Sequence, residues 1–266
     1  MDYIKYGRAV RELTVGASAA YPFATYPTIQ EAVDNAQPGD HISIYPGNYD
    51  EVVEIENTKH DIVLIGAGTY GSIAIAPQTI GAIPLELDGA KGITLVNIDL
   101  ATLDGTSAKA LYLHEQVRRF RAYRCKFEGS DTTEVQIGNT AADAKAPSDC
   151  TFEECEFAWG AGAGVKFGTS TQSFPSEIYF DRCLFHDLAG AWVALSAGGS
   201  FLGCKFKDCD FLLGEGVAPT SGINVSTATG VLSGGTIQLA SNAAGLGTHT
   251  NMKFMGVRFT DSQTTV

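Results

Sequence analysis

Apolar positions along this chain fall into one motif, φ-x-φ-x-x-φ-x-φ, where φ is an apolar or small residue. The motif recurs seven times, starting at Ile93, Phe120, Cys150, Ile178, Cys204, Leu232 and Met252. The third copy begins CTFEECEF, the fourth IYFDRCLF and the fifth CKFKDCDF. The last apolar column reads Leu100, Phe127, Phe157, Phe185, Phe211, Leu239 and Phe259. Starts are 27, 30, 28, 26, 28 and 20 residues apart. A repeat of this period predicts a solenoid, in which each unit buries its apolar edge only against its neighbours.

The motif also gives the shape of one coil. Within φ-x-φ, alternate side chains share a face, which is the period of a strand. The x-x pair breaks the alternation and predicts a bend between two strands. A further strand pair precedes each copy: Leu85/Leu87, Leu111/Leu113, Val135/Ile137, Val165/Phe167, Val193/Leu195 and Ile223/Val225. Each coil therefore carries about three short strands. Length differences fall in small-residue stretches such as Gly160–Gly164 and Ala197–Ser200, which read as loops. The outward bend column reads Arg124, Glu154, Arg182, Asp208. Stacked coils place such residues about 4.8 Å apart, so opposite charges alternate along a ladder. The next outward column begins Asp99, Lys126, Glu156.

Ahead of the repeats, TYPTIQEAVDNAQPGDHISIYPGNYDEVVEI predicts a helix followed by strands. Thr28 and Glu31 have capping-box spacing. Ile29, Ala32, Val33 and Ala36 form one apolar face over residues 28–36. Pro38-Gly39 stops the helix, and Ile42/Ile44 and Ile62/Leu64 read as strands of the first coils. This segment resembles the opening of many proteins of the pectin-lyase-like superfamily, in which a short helix plugs the end of the coil. With the repeats, the resemblance spans about residues 27–259. It implies an all-β, single-stranded right-handed parallel β-helix of about eight to nine coils, as one domain over 27–266. It is silent on activity, because the superfamily holds lyases, esterases, hydrolases, phage tailspikes and non-enzymatic virion proteins.

Composition narrows the partners. The chain has 266 residues, 30 of them Gly, with 44% hydrophobic and 18% charged residues and a net charge of −12. That balance argues against nucleic acid, whose phosphates require basic surface. The cluster Arg118, Arg119, Arg121, Arg124 reads as a solvated, paired face. No apolar run is long enough to span a membrane, and MDYIKYGRAVREL lacks the apolar core of a signal peptide.

The chemistry visible in the sequence is sparse. All six cysteines occupy inward columns: Cys150 and Cys204 in the first, Cys125, Cys155, Cys183 and Cys209 in the third. They read as reduced core residues; a metal site built on the C-x4-C pairs would lack His or acidic co-ligands. Outward acids are plentiful (Glu153, Glu154, Glu156, Asp181, Asp187, Asp208, Asp210), but their ladders alternate with Arg and Lys, as an ion-paired face would. His41, His60, His114, His186 and His249 are scattered; His114 and His186 read as strand-end residues. The paired Gln and Asp motifs of a pectin esterase are not matched. Trp159 and Trp192 sit in loop-like settings, suited to sugar stacking or to packing. The sequence thus singles out no catalytic, cofactor-binding or metal-binding residue.

Two functions follow as expectations. One is a non-catalytic structural protein of a virus particle, such as a bacteriophage capsid decoration protein or tail component. It would be assembled in the host cytoplasm as a homo-oligomer, a trimer being the familiar arrangement. Residues 1–26, which hold three basic residues among aromatic and small ones, would serve as an arm onto the particle, or fold back on the β-helix. The alternative is a polysaccharide-binding or polysaccharide-degrading, tailspike-like β-helix protein. The C-terminal end, without a capping helix, would be covered by another chain or by residues 240–251.

Overall fold

Among the described residues, twelve other than glycine hold a left-handed backbone, most of them at the bends of successive coils. At one corner stand Asn97, Arg124, Glu154, Arg182 and Asp208, with φ between 52° and 56°. This is the outward bend column of the sequence, and the repeated conformation turns each coil sharply between two strands. The computed structural model describes residues 10–16, 20–103, 108–138, 145–168, 175–195, 202–212, 221–224, 229–233, 236–239, 252–255 and 258–261.

The strands assemble into three sheets, and every strand pairing is parallel. The first sheet has ten strands, running from Glu12–Val15 and His41–Ile44 to Met252–Met255. The second has nine, running from Gly47–Tyr49 through Asp99–Ala101, Lys126–Glu128, Glu156–Ala158 and Leu184–His186 to Arg258–Asp261. The third has seven, running from Val53–Glu56 to Ser221–Asn224. The fold is a right-handed parallel β-helix, as the repeat predicts. Among the described residues fewer coils are complete than the eight or nine expected. Among the described residues the last four strands feed only the first and second sheets.

The predicted columns are real. Leu100, Phe127, Phe157, Phe185 and Phe211 pair in sequence across five coils. Phe157 and Phe185 stack at 4.5 Å with 3° between their planes, and Phe180 and Phe206 at 4.6 Å. One copy is out of register. Gly230 pairs with Cys204, Leu232 with Phe206, and Ile237 rather than Leu239 continues the phenylalanine column. The first column of that copy is glycine, so the apolar pattern started two residues late.

The helix spans Ile29–Asn35 and buries Ile29, Ala32 and Val33 over the first coil. Thr28 Oγ1 accepts the Glu31 amide at 3.2 Å, as a capping residue does. The partner carboxylate belongs to Glu51, from the first coil, which accepts the amides of Ile29 and Gln30 at 2.9 and 3.0 Å. A helix leaves four orphan amides at its start, and an acid there offsets them. Within the expected arm, Glu12–Val15 adds a parallel strand beside His41–Ile44. Residues 1–9 and 17–19 of the expected arm, and the 240–251 segment expected to cover the C-terminal end, lie outside the described residues. Strands Met252–Met255 and Arg258–Asp261 extend the first and second sheets.

All six cysteines are free and buried. Burial pushes the Cys125, Cys183 and Cys204 thiols well above their ordinary range.

Candidate functional site on the second sheet

The outward face of the second sheet gathers groups that the sequence left apart. Parallel register sets Asp99, Lys126, Glu156, Leu184 and Asp210 in one column. The adjacent outward column holds Ala101, Glu128, Ala158 and His186. The bend that follows carries Gly129, Trp159 and Asp187 in successive coils, with φ of 86°, 62° and 51°.

These side chains are tied together. Lys126 Nζ lies 2.7 Å from Glu128 Oε2 and 3.6 Å from Glu156 Oε1. His186 Nε2 is 3.1 Å from Glu156 Oε1, and its Nδ1 is 2.5 Å from Asp187 Oδ2. Tyr70, from the turn before Ile73–Ile75, donates its hydroxyl to Glu156 Oε2 at 3.0 Å. With a carboxylate on each ring nitrogen, His186 is raised, chiefly by its bond to Glu156. Glu156 is lowered by the same bond. Burial and the Glu156 charge raise Tyr70, which therefore stays a donor.

Asp99 is the exception in this network. It is 8% exposed, and its Oδ1 has no hydrogen-bond partner. Burial first, and then the charge of Glu128, pushes its carboxyl up to about 6, against the pull of Lys126. Its column partner Glu156 is two strand steps away, about 9.6 Å between Cα atoms. The two carboxyls thus share one face while their environments push their proton affinities in opposite directions.

Trp159 borders the cluster and is 60% exposed. Its ring centroid is 6.0 Å from Lys126 Nζ and 6.2 Å from the His186 ring, which it meets edge-on. A left-handed backbone is unfavourable for a bulky residue, and the coil before uses Gly129 at this bend. Directly beneath, Gly160 leaves room for the buried Glu134 carboxyl, whose Oε1 accepts the Ser130 amide at 3.1 Å while Oε2 has no partner. Trp192, by contrast, is buried 5.6 Å from Phe211 and belongs to the core.

On the far side of Tyr70, an open groove of about 620 Å³ runs along the bend between the first and second sheets. Tyr70, Asn97, Tyr123, Arg124 and Glu154 line it. Glu154 there accepts from Arg124 at 2.9 Å and Arg182 at 3.2 Å, and Arg182 also reaches Glu153 and Asp181. The expected ion-paired ladder is therefore found at this corner. Glu156 pairs with Lys126 in its column as expected and also with His186, and Asp187, which the sequence places in a loop, joins the same cluster. Asp208 lies 3.7 Å from Lys207, outside it. His114 sits on the third sheet, 2.8 Å from Glu86 Oε1 and stacked on Tyr112. Among the described residues no group of three or more His, Cys, Asp or Glu side chains is arranged to hold a metal ion.

The sequence placed Asp99, Lys126 and Glu156 in one column but gave no reason to link them to Tyr70, Trp159 or His186. One signal was available: Trp159 stands where the preceding coil has glycine, so its placement is not dictated by the bend.

No family model matches the chain, and no curated protein does. Solved structures do match. A pectin methylesterase from Aspergillus niger is 17% identical, covering 98% of this chain and 89% of its own, with a TM-score of 0.64. Carrot pectin methylesterase is 15% identical, covering 98% and 86%, with a TM-score of 0.63. An alginate lyase from Paenibacillus is 12% identical, covering 95% and 98%, with a TM-score of 0.53. At these identities the likeness is one of fold. The chain carries a right-handed parallel β-helix, the fold it shares with these structures.

Proposed function

We propose that this protein acts on a polysaccharide bound along the outward face of its second sheet. Asp99 would serve as general acid and Glu156 as base in hydrolysis of a glycosidic bond. The observation that carries the reading is Asp99 itself: a buried carboxyl with an unpartnered oxygen, protonated in part near pH 6, opposite an ionised carboxylate. Pairs of acids with proton affinities pushed apart mark acid and base roles. Register places their Cα atoms about 9.6 Å apart, and attack by water from the opposite side of the sugar uses carboxyls roughly 6.5–9.5 Å apart. Trp159 supplies an exposed ring for a sugar face, and Tyr70 and His186 fix Glu156.

The neighbours in fold space favour this reading over a structural protein of a virus particle, since those described above are pectin methylesterases and an alginate lyase. The test is release of reducing ends from a panel of polysaccharides. Turnover that Asp99→Asn and Glu156→Gln each abolish, with binding retained, supports the assignment. Binding without turnover by the unaltered protein would reduce it to a carbohydrate-binding module.

A further inference from the structure

The charge of the site points to a particular class of glycan, an inference that rests on the polysaccharide reading above. Four carboxylates (Glu128, Glu156, Asp187 and Asp210) share this face or its bend with two cations, Lys126 and His186. Both cations are already engaged. Lys126 sits between Glu128 and Glu156, and His186 between Glu156 and Asp187. Arg124 and Arg182, at the neighbouring corner, are held by Glu154. A polyuronate would bring one carboxylate per sugar into a face whose cations are spent, and like charges brought together in a partly dry site repel.

Two further features bear on the ligand. The Trp159 ring is open to solvent and already has an ammonium, that of Lys126, at 6.0 Å. An aromatic face beside carboxylates is the arrangement that binds ligand ammonium groups. Asp99, 92% buried with Oδ1 lacking any partner, leaves one polar atom of the same face for the ligand to meet. We infer that the glycan is an amino-sugar polymer carrying free amino groups, its rings stacked on Trp159 and its ammonium groups drawn to a face that holds four carboxylates against two cations.

The experiment is calorimetric titration of the intact protein, at slightly acidic pH, with hexamers of glucosamine, N-acetylglucosamine, glucose and galacturonic acid. The glucosamine hexamer is expected to bind most tightly and to weaken with salt. Glu128→Gln and Asp187→Asn should each lower its affinity about tenfold, the worth of one charge-assisted hydrogen bond, and leave the neutral hexamers unaffected. Thermal melts of both variants check that they remain folded. Galacturonate binding as tight as glucosamine, or glucosamine affinity indifferent to salt and to both substitutions, overturns the inference while the polysaccharide reading stands. Preference for the N-acetylated or glucose hexamer does the same. Failure of all four hexamers to bind overturns both.

Discussion

Glu156 and His186 come from successive coils, 30 residues apart, and meet at 3.1 Å between Oε1 and Nε2. The Asp187 carboxylate takes the other ring nitrogen. The imidazole is thereby held as a cation and oriented by two coils at once. Its folded proton affinity is raised above the ordinary value of 6.5. The stabilisation it provides is therefore fully present below pH 6.5 and lost as pH rises through the folded value. Thermal melts from pH 5 to 9 should show this loss in the unaltered protein and a smaller one in His186→Gln. Identical pH profiles for the two would contradict the pairing.

Asp99 acts in the same direction, in a more acidic window. Its carboxyl is raised from 3.8 to about 6 in the folded protein. The folded state then holds the proton more tightly than the unfolded chain, so stability falls as pH rises between those values. Asp99→Asn should be more stable than the parent above pH 6, by about 1–2 kcal/mol after allowance for the side open to water. It should be inactive in any hydrolysis the protein performs. Chemical denaturation at pH 7.5 together with reducing-end assays would check both halves.

Trp159 holds an unfavourable backbone conformation, with φ of 62°, and leaves most of its ring exposed. Trp159→Gly should keep or raise the melting temperature, since glycine occupies a left-handed position at no steric cost. It should also abolish glycan binding. A variant that unfolds, or one that binds as before, would show that the ring serves packing.

Glu134 is buried beneath the same bend, and burial raises its carboxyl well above the ordinary 4.5. It is carried as the neutral acid, so its cost to the fold grows as pH rises above the unfolded value. Glu134→Gln should flatten the alkaline side of the stability profile. Gly160→Ala should destabilise at every pH, because the added methyl would meet both Glu134 Oε1 and the Ser130 carbonyl. Unfolding curves at pH 5 and pH 8 separate the two effects.

Cys125, Cys155, Cys183 and Cys209 line the interior, none more than 2% exposed. A thiol reagent should label none of them in the native protein, and all six cysteines once it is unfolded. Replacing any one of the four with alanine should cost about 1–2 kcal/mol, as for loss of a small core group. Rapid labelling of the folded protein would mean the coil opens locally.

What the sequence determined was whatever repeats. Coil, columns and bends each involve one residue type at one position of every turn. Burial selects apolar residues there, so the phenylalanine and cysteine columns were legible from spacing alone. Where the selection was met by glycine, at Gly230, the reading slipped by two residues. The helix start was visible in Thr28, but its second cap was not, because Glu51 lies 23 residues after it and only the closed first coil brings it back. The candidate site was hidden for the same reason. Asp99, Lys126 and Glu156 share a column, which spacing reveals. Tyr70, Trp159 and Asp187 reach them from turns, whose conformation leaves little periodic trace, and His186 stands in a column whose other members are unlike it. Charge alternation along the sequence made the acids look neutralised. Only the packed coils decided which carboxylates found cations, and that Asp99, screened from water with one oxygen unpaired, was left without a hydrogen-bond donor there.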